Sequence, residues 1–330
     1  MPSGGDGDGS THAGTAADPY AIKKDLPSSN VNAYVTPSTI CDTIEITADP
    51  PFSTHGILKV GTGTKIIQWE SNPSAAAIDA MPAAGLTYEV TITDTGSGAY
   101  KTIYVTALKP TIGSKPAPDA VGDIVFTDGS ASPYPDFDTV AMSSDQVAGA
   151  VAVIYDATNM KGVGLVQGTN LMWAASGTTG YTTFIAALQA TKVSGTNLND
   201  EVYSGLVDGS TSLASFRAAV GATEGIFLGD TDYPAWAFVE NYATTAGLTG
   251  SYASGWYMPS MAEICKLYQA MTTVNAALNK ISGAAQLPLG IWSCNTINSG
   301  SYVFCATFSD GTSGITFKDV GNPVLVIRAF

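Results

Sequence analysis

Apolar and polar positions alternate along the first third of the chain. Thr43-Ile44-Glu45-Ile46-Thr47 repeats with period two, so its isoleucines share one face and its polar residues the other. Ile57-Leu58-Lys59-Val60 and Lys65-Ile66-Ile67-Gln68-Trp69 follow, separated by the turn Gly61-Thr62-Gly63-Thr64. Tyr88 to Thr93 and Tyr100 to Thr106 form the clearest hairpin, joined through Asp94-Thr95-Gly96-Ser97-Gly98. About five short strands at this spacing predict a small all-β, immunoglobulin-like module over 39–109. No chemical constellation falls in it, and it reads as a spacer. Residues 1–38, rich in Gly, Asp, Ser and Ala at their start, predict a flexible N-terminal tether. Lys109-Pro110 and Pro116-Ala117-Pro118 bound a linker over 110–120.

The pattern changes over 121–330, where strands mix with helices. Val151-Ala152-Val153-Ile154-Tyr155 is a continuous apolar run and predicts a buried strand. Gly162 to Trp173 suggests a strand pair. Ser212 to Val220 is a helix candidate. Pro234 to Thr245 is a stronger one, with proline at its start and Trp236, Val239 and Tyr242 on one face. Ser260 followed by Glu263 is a capping box, and Ile264, Leu267, Tyr268 and Met271 form the buried stripe behind it. A second helix is expected from about Thr273 to Ile281, ended by Gly283. Leu289 to Phe330 reads as short strands and polar loops. The fold class is therefore α+β.

Charge narrows the partners. The chain has 330 residues, 28 acids against 14 bases, and a net charge of −14. Such a surface repels phosphate backbones and anionic lipid, which argues against nucleic acid. Arg217 and Arg328 are its only arginines. No stretch is apolar for long enough to span a bilayer. Met1 runs into a polar tract with no visible leader, which fits either a cytoplasmic protein or one whose leader has been removed; the Ser/Thr/Gly-rich, lysine-poor style points to export, with any membrane attachment through a lipid anchor outside this sequence. The four cysteines Cys41, Cys265, Cys294 and Cys305 lack CxxC spacing, so neither zinc nor another metal is expected. Cys294 and Cys305 are near enough in sequence to pair across a hairpin, but separate free thiols are the simpler reading. His12 and His55 read as solvated loop residues.

Four motifs carry a resemblance. Gly255-Trp256-Tyr257-Met258-Pro259-Ser260-Met261-Ala262-Glu263 resembles the G-W-x-L/M-P-S-x-x-E segment of C-type-lectin-like domains of the formylglycine-generating-enzyme type. Ile291-Trp292-Ser293 is similar to their W-S-S strand, and Phe308-Ser309-Asp310-Gly311 to their F-x-x-G turn. Val326-Ile327-Arg328-Ala329-Phe330 is similar to their V-R-x-V-R-A-F ending, with Ile327 and a missing upstream arginine as departures. The resemblance covers about 121–330. Within that group the chain most resembles the variable proteins of diversity-generating retroelements.

That resemblance implies a C-type-lectin-like domain over 121–330, with a variable segment at about 293–319. In such systems adenines in the C-terminal coding repeat are rewritten, and NNC codons exclude Lys, Glu, Gln, Met and Trp. None of these five occurs between Ser293 and Phe317, and they return at Lys318, which matches a fixed lysine of the family. The implied ligand-binding residues are Cys294, Asn295, Thr296, Ile297, Asn298, Ser301, Tyr302, Cys305, Thr307, Thr312, Ser313, Ile315, Thr316, Phe317 and Asp319. The set mixes rigid aromatic area with adaptable small polar groups, as paratopes do. Trp256, Trp292, Phe304, Phe308 and Phe330 are expected to be core, and Arg328 to pair with a carboxylate. The expected function is a surface-displayed or secreted binding protein without catalysis or cofactor. Its partner would be a protein or glycan on a host or neighbouring cell.

Three alternatives compete. A formylglycine-generating-type oxidase would use cysteines as soft Cu(I) ligands, but no histidine supports them here. A calcium-dependent lectin would carry E-P-N or Q-P-D with W-N-D, and neither is present; only Asp230-Thr231-Asp232 hints at an oxygen cluster. A structural stalk would have an end segment no more tolerant of change than the rest. Hydrolytic signatures are absent, and Asp208, Asp230, Asp232 and Asp310 read as solvated loop acids.

Overall fold

The computed structural model describes residues 12–24, 29–32, 43–62, 65–82, 84–221, 227 and 231–330. Cys41 and Asp230 lie outside them. The chain is α+β, built mostly of small sheets with few helices, and divides into two compact units, Met1–Pro110 and Thr111–Phe330.

The first unit contains β1 (Tyr20–Ile22), β2 (Val31–Asn32), β3 (Ile44–Asp49), α1 (Phe52–His55), β4 (Leu58–Val60), β5 (Ile66–Trp69), α2 (Ala75–Asp79), β6 (Leu86–Asp94) and β7 (Tyr100–Ala107). One sheet runs β1-β7-β6-β3 and a second β2-β5-β4. Alternation makes the core: Tyr88, Val90 and Ile92 of β6 point inward and meet Leu58, Ile67 and Trp69 of the second sheet. Trp69 Nε1 donates to Ile22 O at 3.0 Å. The expected tether is therefore shorter than residue 38. Tyr20–Ile22 pairs in parallel with β7, and Val31–Asn32 pairs with β5. The histidines are also less solvated than expected. His12 Nδ1 lies 2.7 Å from Asp18 Oδ1, and His55 sits edge-on to Tyr88.

The second unit opens inside the expected linker. Lys115 bridges Ala131 through its backbone, and its ammonium donates to Asp119 and Asp123, so 111–120 belongs to this unit. Its main sheet has the order β19-β11-β10-β8-β9. The strands are β8 (Asp123–Phe126), β9 (Ala131–Pro133), β10 (Ala150–Asp156), β11 (Lys161–Gly164) and β19 (Ile327–Ala329). Every residue of β10 is buried, which explains why it reads as an unbroken apolar run instead of alternating. Val153 and Tyr155 join one core with α8 (Met261–Gln269) and α9 (Met271–Leu278). Val151 and Ala152 join another with Trp173, α5 (Ser212–Val220), α6 (Pro234–Glu240) and α7 (Tyr242–Thr245). In that second core Phe216 stacks on Trp236 at 4.3 Å between ring centroids.

The smaller elements are α3 (Ser144–Gly149), β12 (Gly168–Met172), α4 (Thr179–Thr182), β13 (Ala190–Ser194), β14 (Val202–Gly205), β15 (Gly290–Thr296), β16 (Tyr302–Thr307), β17 (Thr312–Phe317) and β18 (Gly321–Val324). The expected strand pair between Gly162 and Trp173 exists as two strands that do not pair with each other. β11 lies between β10 and β19, while β12 pairs with β18. The helix read as Pro234 to Thr245 breaks at Asn241 into α6 and α7. The last segment folds as the antiparallel sheet β15-β16-β17.

Candidate ligand-binding face

The end sheet rests on a locked scaffold. Ser260 Oγ accepts from Glu263 N–H, and Glu263 Oε2 accepts from Ser260 N–H, which completes the capping box of α8. The same Oε2 accepts from Gly209 N–H at 2.9 Å. Oε1 accepts from Tyr257 OH at 2.9 Å and from Lys161 Nζ at 2.5 Å. Lys161 also reaches Asp208 at 2.9 Å. Burial opposes the charge on Lys161, but the bonds to Glu263 and Asp208 outweigh it and hold the ammonium's pKa above its ordinary value. One buried carboxylate thus ties α8, β11 and the turn before α5.

β15 is fastened to this scaffold. Asn295 is fully buried, and its amide is spent on the backbone. Oδ1 accepts from Met261 N–H at 2.7 Å, and Nδ2 donates to Leu188 O at 3.2 Å and Leu206 O at 3.0 Å. Thr296 Oγ1 donates to Ile185 O, and Cys294 N–H donates to Pro259 O. Cys294, Asn295 and Thr296 are each 0% exposed. Their expected place on the binding face is therefore corrected: they face inward because β15 bridges two packed layers. Ligand cannot reach them without opening the domain.

Exposure rises from β15 to β17. In β16, Phe304 and Ala306 join the core beneath α8, while Val303 joins the other core and Cys305 packs against it. Tyr302, Cys305 and Thr307 are half-buried. In β17 the apolar side chains stand in water: Ile315 is 54% and Phe317 44% exposed. Thr312 is also exposed, and Ser313 and Thr316 are half-buried. The register pairs Tyr302 with Phe317, Phe304 with Ile315 and Ala306 with Ser313, so these residues share one face. Tyr302 and Phe317 rings lie 4.3 Å apart. In the turn before β16, Asn298 is exposed, and Ile297 and Ser301 are half-buried; Asp319, after β17, is half-buried as well. Tyr302, Ser313, Ile315 and Phe317 are thus brought together. Thr307, Thr312 and Thr316 lie on the opposite side of their strands.

The contacts of two supports are not legible in the sequence. The hairpin β13–β14 lies on one end of this same face: Tyr203 meets Phe304 edge-on, and Ser313 Oγ donates to Glu201 at 2.7 Å while Lys192 holds the same carboxylate. Neither Ala190–Ser194 nor Val202–Gly205 alternates apolar and polar residues, so nothing local announces the hairpin or Glu201 as its polar link. The second support is Lys318, which is 0% exposed. Its ammonium donates to Gly180 O at 2.7 Å and Thr183 O at 3.2 Å and lies over the Trp173 ring. Burial lowers its pKa to about 8.

Arg328 does not find the expected carboxylate among the described residues. It donates to Ser254 O and lies over Tyr252 at 4.8 Å. Trp256, Trp292, Phe304 and Phe308 are buried, and Phe330 is half-buried against Tyr252 and Trp256. Cys265, Cys294 and Cys305 are free thiols, and burial raises the pKa of each, so they stay protonated and poor as nucleophiles or metal ligands. Asp208 is ion-paired to Lys161, and Asp310 accepts from Thr312 within its own turn. Among the described residues no group of three or more His, Cys, Asp or Glu side chains could hold a metal ion, and no helix is long and apolar enough to cross a membrane. No protein-family model, curated protein or solved structure shows a significant match to this chain.

Proposed function

We propose that the protein is a binding protein displayed at a cell surface or secreted, and that the end sheet of its second unit captures a protein or glycan partner. In this reading the second unit is a C-type-lectin-like domain of the formylglycine-generating-enzyme type, and the first is an immunoglobulin-like spacer. The end segment is re-lettered by a diversity-generating retroelement, and any membrane attachment is through a lipid anchor. The observation that carries the reading is the exposure of Ile315 and Phe317, at 54% and 44%, on a strand whose sheet is otherwise bound into two cores. Large apolar side chains held in water on a rigid frame are what a contact surface needs. Binding is favoured over thiol chemistry because burial keeps the cysteines protonated.

The burial of Cys294, Asn295 and Thr296 redraws the variable face. It begins after Thr296 and centres on Tyr302, Ser313, Ile315 and Phe317. The experiment is a paired library. One library randomises those four positions, and the other randomises 294–296. The first should give mostly folded, monodisperse protein; the second should give mostly aggregated or protease-sensitive protein. The wild-type chain and the Ile315→Ala/Phe317→Ala variant are then compared on glycan and extracellular-protein arrays, with and without chelator. Capture by wild type and its loss in the variant supports the reading. Equal array profiles for the two proteins overturn it. A template repeat and a reverse transcriptase beside the coding region test diversification separately.

A further inference from the structure

β17 has an open edge. It pairs with β16 on one side, and among the described residues no strand pairs with the other. The register says which backbone groups face outward. Lys318 N–H donates to Ser301 O at 3.0 Å, so these opposed residues form a hydrogen-bonded pair. Hydrogen-bonded and open pairs alternate in an antiparallel ladder. Thr316, Gly314 and Thr312 therefore turn their N–H and C=O groups to β16. Those of Ser313, Ile315 and Phe317 point away. Val320 N–H occupies Phe317 O, which leaves Ser313 and Ile315 with complete donor and acceptor sets on the open side.

The edge itself is uncharged: Thr312-Ser313-Gly314-Ile315-Thr316-Phe317. Acids bracket it, with Asp310 exposed before the strand and Asp319 half-buried after it. An edge without lysine, proline or bulge is an open template for another strand. A second copy of this chain is a poor occupant. Pairing two β17 edges antiparallel about Ile315 would set Asp310 of one copy near Asp319 of the other, in chains that each carry −14. Like charges facing each other across a sheet destabilise it. A segment with an uncharged centre and basic ends meets neither penalty.

Building on the proposed binding function, we infer that β17 captures an extended partner segment of this kind as an added strand. Main-chain bonds from Ser313 and Ile315 supply affinity that does not depend on side-chain identity, and Ile315 and Phe317 supply selectivity. That division of labour suits a strand whose letters change, because the capture mechanism survives the change.

The test uses the full chain and a fluorescein-labelled peptide of alternating Thr and Val with a lysine at each end. Fluorescence polarisation should show saturable binding, and amide shifts should move at Ser313 and Ile315. N-methylating the alternate peptide amides that face the edge should weaken binding by roughly tenfold or more. Ile315→Pro should do the same, because its lost N–H serves only the open side. Val140→Thr, at an exposed apolar position outside the end sheet, should stay within about threefold of wild type. Replacing the peptide's lysines by glutamates should weaken binding. Equal binding of the N-methylated peptide overturns the inference without relying on any protein variant. So does the absence of saturable binding up to about 1 mM, or dimerisation of the chain through this edge. If array capture is lost in Ile315→Ala/Phe317→Ala while N-methylation and Ile315→Pro change nothing, the binding face stands and strand addition falls.

Discussion

β15 and β17 are outer strands of the same small sheet, yet they have opposite characters. From Ile291 to Thr296 every residue of β15 is buried, and Asn295 and Thr296 spend their side chains on backbone groups of other elements. β17 spends its inner backbone edge and, on the outer one, Phe317 O, and its side chains stand largely in water. The difference comes from what lies beyond each strand. β15 has α8 and the segment before β13 against it, so its asparagine must satisfy groups that packing has stripped of solvent. β17 has nothing strand-like beyond it among the described residues. Proximity in sequence therefore does not confer equal freedom to vary.

The sharpest way to break this contrast is Asn295→Ala. It would orphan Met261 N–H, Leu188 O and Leu206 O together, in a fully buried place. Each buried orphan costs on the order of 1–3 kcal/mol, so the expected loss is about 4 kcal/mol. Chemical denaturation measures it. A loss under about 1 kcal/mol would mean that β15 is as free as β17.

Lys318 tests the other anchor through pH. Its pKa falls from 10.5 to about 8 on folding because burial penalises the ammonium. Between those values the unfolded chain binds a proton that the folded one has released. Stability attributable to Lys318 should therefore rise with pH from about 8 toward 10.5, at up to about 1.4 kcal/mol per pH unit. The tyrosines whose pKa burial raises, Tyr155 and Tyr257 among them, push the opposite way above pH 10. The measurement is therefore the difference between wild type and Lys318→Met from pH 7.5 to 9.5. Parallel stability curves for the two proteins would show that the ammonium is not depressed.

What the sequence revealed follows the range of the forces involved. The capping box at Ser260 and Glu263 was readable because both partners lie within one helical turn. The burial of β10 was readable because a covered strand has no polar face to show. The three inward residues at the end of β15 were misread because their partners come from Ile185, Leu188, Leu206, Pro259 and Met261, distant in sequence. Asparagine and threonine look the same in a list whether they face water or a buried carbonyl. The partner of Arg328 was misread for a related reason: a guanidinium can be satisfied by a carbonyl and aromatic faces as well as by a carboxylate. The free-thiol reading of Cys294 and Cys305 agrees with the structure, whereas Cys294's place on the binding face does not.

Thr296→Val sharpens the comparison at a smaller scale. It keeps the shape and removes the Oγ1 donor to Ile185 O at 3.0 Å, so that carbonyl keeps only the Leu188 N–H at 2.9 Å. The expected loss is about 1 kcal/mol. Thr316→Val, at a half-buried position on β17, should change stability by no more than about 0.5 kcal/mol. Equal effects from the two substitutions would contradict a division into anchored and free strands.

The smallest effect is the most informative. Ile315→Ser removes an apolar side chain that is already 54% exposed, so little burial is lost and the change in folding free energy should stay within about 0.5 kcal/mol. Phe317→Ser should cost somewhat more, about 1 kcal/mol, because its ring contacts Tyr302 at 4.3 Å. If these residues serve folding, their removal must appear in the denaturation curve. If they serve contact, the curve is nearly unchanged while capture of a partner falls. A chain that loses no more than these amounts while its capture of a partner falls keeps its exposed apolar surface for something outside itself.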